Sequence, residues 1–256
     1  MATHDLHTHT TYSDGSDMRA MVAAAERAGH DSIGLTDHCI LWDDPFGRRA
    51  RFDFLDTFGE RRADIAALRR ETDIAVHDAV EMTYAPEMED DIADFLDEAA
   101  FDYAIGSVHV LPDYDVTKPG PFVDLPPDEK RRVVEEYFDW QVALVESELF
   151  DVMGHLDLPE RAPALQGVAT RADYERVAAA LADSRTLPEL NAGRSLRLDV
   201  FHPNPTYLDA FREAGVKFVL GTDSHRPHEV GRRYDAIRAL CRQYDLEVTD
   251  LPALAE

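Results

Sequence analysis

Seven short apolar runs, each followed by a stretch of helical spacing and each closing on an imidazole, an acid or an amide, constrain this chain more than any other feature. The runs lie at 4–9, 31–38, 74–82, 103–109, 151–156, 187–192 and 217–223, with helical patterns at 17–29, 53–71, 88–100, 127–149, 170–184, 205–214 and 228–244. Gly29 and Gly215 read as helix stops and Pro127 as a helix start. Regular β-α alternation predicts a parallel sheet with helices outside it. An open doubly wound sheet gathers ligands at one switch point, whereas every strand of a barrel ends at the same mouth. Polar residues at the ends of all seven runs therefore favour a closed or nearly closed α/β barrel.

A length of 256 residues suits one such barrel, taken as a single domain over 1–256. The chain is 45% hydrophobic, enough for a core, yet no run approaches the ~18 apolar residues of a membrane span. No basic start followed by an apolar stretch marks a secretory leader, so a cytoplasmic protein without membrane contact is expected. Cys39 and Cys241 stand alone and in no C-x-x-C pattern, which leaves histidine and carboxylate as the available metal ligands. A net charge of -25 argues against duplex nucleic acid, whose recognition needs a basic stripe. The acids are largely Asp and the only lysines are Lys118, Lys130 and Lys217, a balance that resembles proteins of salt-rich cytoplasm.

His7 and His9 lie two apart on the first run, so both project from one face of a strand. Later runs add Thr36-Asp37-His38, Glu81, Gly106-Ser107-Val108-His109, Gly154-His155-Leu156-Asp157 and Gly221-Thr222-Asp223-Ser224-His225. Six of the eleven histidines thus stand at strand ends, where structural histidines would scatter. Imidazole suits zinc, manganese or iron, and a carboxylate such as Glu81 can bridge two ions. More than four ligands exceed the needs of one tetrahedral ion, so two or three divalent metals are expected. Close metal pairs suit phosphoester hydrolysis, because they activate a water and absorb charge on the phosphoryl oxygens.

The segments DLHTHTTYSDG, TDH, GSVH, GHLDL, ELN and GTDSH, in this order, resemble the motifs of the PHP (polymerase and histidinol phosphatase) family over almost the whole chain. GSVHVL, FDVMGHLDLPER and the stretch from HPNP to GTDSHRPHEVG are similar to the monofunctional histidinol-phosphate phosphatases of that family. The resemblance implies a distorted (β/α)7 barrel with a trinuclear centre at its C-terminal mouth. It assigns His7, His9, Glu81 and Asp223 to one ion, the shared Glu81 with His109 and His155 to a second, and His38 and His225 to a third. The third site in those phosphatases typically takes a histidine from a P-H-G run. Here the run is Ser13-Asp14-Gly15, and the aspartate matches nucleotide-directed PHP enzymes, so Asp14 is either a ligand or an ordinary Asp-Gly turn.

A dianionic ester needs cations in so acidic a chain, and arginine's fork fits phosphate best. The resemblance points to Arg161 and Arg197, with Arg194 nearby, as the phosphate grip, and to Asp223 and His225 as further catalytic groups. Asn191, at the end of the sixth run, is a candidate for binding substrate or a bound water. Asp37 and Asp157 either orient ligand histidines or cap the following helix. His202 and His228 flank loops near the mouth, and Trp42, Phe46, Phe52 and Phe54 either wall the pocket or join the core. The expected reaction is hydrolysis of histidinol phosphate, a small-molecule ester. The rival readings are a PHP enzyme acting on nucleotides or oligonucleotide 5' ends and a catalytically silent metal-binding module.

Overall fold

The computed structural model describes residues 3–44, 46–47, 53–194 and 200–254. Its strands are β1 (His4–Thr8), β2 (Ser32–Leu35), β3 (His38–Cys39), β4 (Ala75–Thr83), β5 (Tyr103–Ser107), β6 (Val110–Leu111), β7 (Tyr114–Asp115), β8 (Val152–Met153), β9 (Leu187–Arg194), β10 (Val200–His202) and β11 (Val219–Gly221). The longer helices are α1 (Met18–Ala28), α2 (Phe54–Leu68), α3 (Glu89–Ala99), α4 (Pro127–Glu146), α5 (Arg171–Ala182), α6 (Leu208–Glu213) and α7 (Val230–Tyr244). Each expected run and helix is present. The structure adds the short β3, the β6-β7 hairpin and β10, which is antiparallel to β9.

Parallel pairing runs β1-β2-β4-β5-β8-β9, with β11 parallel to β9. A parallel bridge between Thr8 and Ser224, with the His9 amide donating to the Ser224 carbonyl at 2.9 Å, joins the last segment to the first. The sheet therefore curls round into the barrel that the strand ends required. Local chemistry sets the helix limits: the Asp17 side chain accepts from Ala20 N at 2.9 Å to start α1, and Gly29 ends it at φ 77°. Among the described residues no helix is long and apolar enough to cross a membrane.

β1 carries an irregularity that positions the site. Asp5 pairs with Ile33 and Thr8 with Leu35, so three steps along β1 match two along β2. The extra residue is a β-bulge, and it turns both Leu6 and His7 inward. Leu6 joins Ala79, Tyr103, Ile105, Val152 and Val219 in an apolar floor that Leu251 helps seal. His7 begins the polar layer above. The backbone groups at the bulge find side-chain partners: Tyr103 Oη donates to the Leu6 carbonyl at 2.7 Å, and the buried Asp5 carboxylate accepts from His7 N at 3.4 Å and from Thr222 N at 3.0 Å. Burial pushes the Asp5 carboxyl up to about 7.

A second device joins α2 to the barrel. Arg61 is fully buried and donates to Asp37 Oδ2 (2.8 Å), Asp78 Oδ1 (2.5 Å) and the carbonyls of Leu35 (2.5 Å) and Ala79 (2.8 Å). Its charge is matched by two carboxylates and its hydrogens by carbonyls, the condition under which a buried guanidinium is tolerated.

Candidate metal centre

Nine residues expected from the sequence converge at the mouth of the barrel. Glu81, on the inner face of β4, is the centre. Its Oε1 lies 3.3 Å from His109 Nε2 and 3.0 Å from His155 Nε2; its Oε2 lies 2.6 Å from His38 Nδ1, 3.4 Å from His7 Nε2 and 3.6 Å from His9 Nε2. The β3-β4 register, which sets His38 beside Glu81, accounts for the shortest of these. Asp223 Oδ1 adds contacts of 3.4 Å to His9 Nε2 and 3.5 Å to His225 Nδ1. Asp14 Oδ1 lies 3.1 Å from His225 Nε2 and 3.6 Å from His38 Nε2, so the Ser-Asp-Gly loop reaches the cluster.

These side chains form three overlapping groups whose ligand atoms lie within 4.8 Å of one another: His9, Asp14, His38 and His225; His7, His9 and Asp223; and His38, Glu81 and His109. Glu81 Oε2 is buried with no hydrogen bond, although three imidazole nitrogens surround it, and His9 Nδ1 and His155 Nδ1 are also buried and unbonded. A buried carboxylate oxygen facing several nitrogens without a shared proton is an arrangement that a cation satisfies. The donor set of imidazole and carboxylate fits zinc-like ions. Burial lowers His9 and His109 to about 4, which leaves both rings neutral with a lone pair to give. For Glu81, burial opposes ionisation, yet the His38, His7 and His109 rings hold its carboxyl well below the ordinary range.

The surroundings fix the rings. Glu189 Oε2 accepts from His7 Nδ1 at 2.8 Å, which directs the Nε2 lone pair inward, and its Oε1 accepts from His155 N at 2.7 Å. Thr83 Oγ1 lies 2.9 Å from His109 Nδ1, and Ser107 Oγ donates to Glu81 Oε1 at 2.7 Å. The loop carrying Asp14 folds back tightly: Gly15 N donates to the Thr10 carbonyl at 2.8 Å, and a Cβ at Gly15 would lie 2.2 Å from the His9 carbonyl. Glycine is therefore required beside Asp14 for the close approach to the backbone of His9 and Thr10.

The PHP domain family profile matches residues 5–193, about three quarters of the chain and all but two of the clustered residues. The chain belongs to the PHP family. This PHP protein is 29% identical over 256 residues, covering 92% of each chain, to a Deinococcus radiodurans protein named "Probable histidinol-phosphatase". A Clostridium acetobutylicum protein of the same name is 25% identical, covering 90% of this chain and 89% of its own. The histidinol phosphate phosphatase of Lactococcus lactis, solved in complex with zinc, L-histidinol and phosphate, superposes with a TM-score of 0.79 at 25% identity, covering 96% of this chain and 95% of its own.

Other residues singled out in the sequence surround this PHP centre. Asp37 touches no clustered histidine; it accepts from Arg61, Thr10 N (2.6 Å) and Ser13 Oγ (2.9 Å), and so anchors the Asp14 loop. Asp157 orients His202, a histidine outside the cluster. His202 is fully buried with both ring nitrogens engaged by Asp157 and Arg161, while His228 is exposed. Asn191 is buried behind the mouth: its Nδ2 donates to Glu189 Oε1 and its Oδ1 accepts from Gly193 N, each at 2.7 Å. It supports Glu189, and its Oδ1 also lies 3.5 Å from Arg161 Nη2.

Arg161 does reach the site, its Nη2 donating to Asp223 Oδ2 at 2.8 Å. Arg197 and Phe52 lie outside the described residues. Phe46 stacks on His109 with centroids 4.5 Å apart, whereas Phe54 belongs to the core under the helices and Trp42 is partly buried. Sequence reasoning missed the roles of Glu189 and Arg61. Glu189 carried a signal, an acid ending an apolar run; Arg61, one of two adjacent arginines in an amphipathic helix, carried none.

Proposed function

We propose that this chain hydrolyses L-histidinol phosphate to L-histidinol and inorganic phosphate with divalent ions held by His7, His9, Asp14, His38, Glu81, His109, His155, Asp223 and His225. The observation that carries the reading is the convergence of these side chains on Glu81 beside Arg161, in a chain that aligns nearly end to end with histidinol phosphatases. The zinc in the Lactococcus lactis structure favours zinc over manganese or iron. Ions bound here supply an activated water and absorb charge on the phosphoryl oxygens.

The chain's own residues do the rest. Glu81 offers an oxygen to each side of the cluster, and Glu189 keeps His7 in the tautomer that can ligate. Arg161, half-neutralised by Asp223, offers its Nη1 to a phosphate oxygen, and a preorganised donor aimed at charge that builds in the transition state is the most effective kind. Arg197 is proposed as a second phosphate ligand. The occupant is a small ester, because a surface at -25 repels a polyanion such as duplex nucleic acid.

Steady-state phosphate release from L-histidinol phosphate, nucleoside monophosphates and short oligonucleotides, each with zinc, tests the reading. L-Histidinol phosphate is expected to lead by at least about tenfold in kcat/KM, a gap of about 1.4 kcal/mol. Nucleotides leading by the same margin would overturn the substrate, and no release from any ester would overturn the reaction.

A further inference from the structure

Arg161 does not rest freely at the mouth; it is held by a histidine that no metal group includes. The side chain leaves a short turn (Leu158–Arg161) after β8, and its Nε donates to His202 Nε2 at 2.9 Å. Its Nη2 donates to Asp223 Oδ2 at 2.8 Å and reaches Asn191 Oδ1 at 3.5 Å. A guanidinium donates only, so His202 Nε2 must be the unprotonated nitrogen and the ring proton must sit on Nδ1. Asp157 Oδ1 accepts that proton's hydrogen bond. The other Asp157 oxygen accepts from Tyr174 Oη at 2.7 Å and Asn204 N at 2.6 Å, which leaves this buried carboxylate no freedom to turn. His202 and Asp157 are both fully buried.

Tyr174, Asp157, His202 and Arg161 thus form one directed chain of hydrogen bonds from helix α5 to the metal centre. Its two inner edges fix the guanidinium plane: His202 takes Nε and Asp223 takes Nη2, so Nη1 is the nitrogen with no protein partner among the described residues. Gly193 keeps room for this, since a Cβ there would lie 2.3 Å from Asp223 Oδ2 and 3.0 Å from Arg161 Nη2. A long side chain that loses such an anchor must be ordered anew each time an anion binds, and affinity falls accordingly.

We propose that His202, oriented by Asp157, is the positioning residue that presets Arg161 for phosphate. The proposal rests on the phosphatase reading for Arg161 and adds to it the residue that makes the grip effective. Glutamine carries an acceptor and a donor that can serve Arg161 and Asp157 together, whereas phenylalanine fills the space and offers neither.

The test compares the zinc-loaded wild type with His202→Gln and His202→Phe, measuring inorganic phosphate binding by calorimetry, zinc content, and kcat and KM for L-histidinol phosphate. His202→Phe is expected to weaken phosphate binding and raise KM at least about tenfold, to lower kcat by less, and to keep full zinc; His202→Gln should recover most of the loss. A folded, zinc-replete His202→Phe that binds phosphate within twofold of wild type overturns the proposal. If that variant does not fold, His202→Ala with added imidazole serves: phosphate affinity restored by imidazole supports the role, and affinity indifferent to both changes overturns it. The two readings fail separately. A wild type inactive on L-histidinol phosphate, whose phosphate affinity still depends on position 202, refutes the substrate alone; an active wild type whose phosphate affinity ignores position 202 refutes the positioning alone.

Discussion

At the residue scale the centre depends on which nitrogen of each histidine faces inward, and Glu189 decides this for His7. Its carboxylate can only accept, so His7 Nδ1 must donate and Nε2 is left with its lone pair toward Glu81. Glu189→Gln keeps the shape but can keep its oxygen on His155 N and Asn191 Nδ2 only by turning its NH2 toward His7 Nδ1. That donor favours the opposite tautomer. We expect a 10- to 100-fold loss of zinc affinity in competition with a chelator, without loss of folding; unchanged affinity would show that His7 needs no such partner. Eight of the clustered residues were legible because an imidazole or acid closing an apolar run is costly unless it has work there; Asp14, in a loop, was reached only through the family resemblance. Glu189 met the same criterion as Glu81. What separates them is that Glu81 stands among five imidazoles whereas Glu189 meets only the outer Nδ1 of His7 and the backbone of His155, a distinction of geometry with no counterpart in composition. The partnership of Asp157 and His202, 45 residues apart, is likewise settled only by folding.

At the scale of elements, the seven-fold β-α alternation was readable because strand and helix periods differ and several helices carry recognisable end signals. The β1 bulge was not, since a one-residue slip leaves the pattern of apolar residues almost unchanged while re-aiming the side chains. β3, β6, β7 and β10 have two or three residues each, too few for any period to show. Arg61 of α2 was hidden for a different reason: an arginine in a helix reads as solvated unless its burial is known. Through Asp37 it secures the turn that brings Asp14 to His225. Arg61→Leu strands the buried carboxylate of Asp37 and leaves Asp78 to Arg62 alone, and should cost about 3–5 kcal/mol in urea unfolding. Lysine should not rescue it, for want of the planar fork that reaches four acceptors. A loss below about 1 kcal/mol would mean the network relaxes without its centre.

On the scale of the whole molecule, 51 acids face 26 lysines and arginines. Many arginines are already committed to local pairs, as when Arg171 meets Glu175, Asp209 and Glu213, so the surplus is negative charge repelling itself. Salt at 1 M shortens the screening length to about 3 Å and weakens both pairs and repulsion, but exposed pairs contribute little. Net stabilisation should follow. Between 0.1 and 1 M KCl the Tm of the zinc-loaded protein is expected to rise by roughly 4–8 °C, equivalent to about 2 kcal/mol for a chain of this size. A flat or falling Tm in scanning calorimetry would place the pairs above the repulsion.

The apolar floor built from Leu6, Tyr103, Ile105 and their neighbours also has a bearing on traffic. It fills the barrel beneath the cluster with packed side chains, so a substrate comes to the metal ligands from the strand-end mouth. On the proposed function, phosphate gripped by Arg161 lies against the cluster and the alcohol toward the mouth. On that reading the alcohol is expected to leave before phosphate.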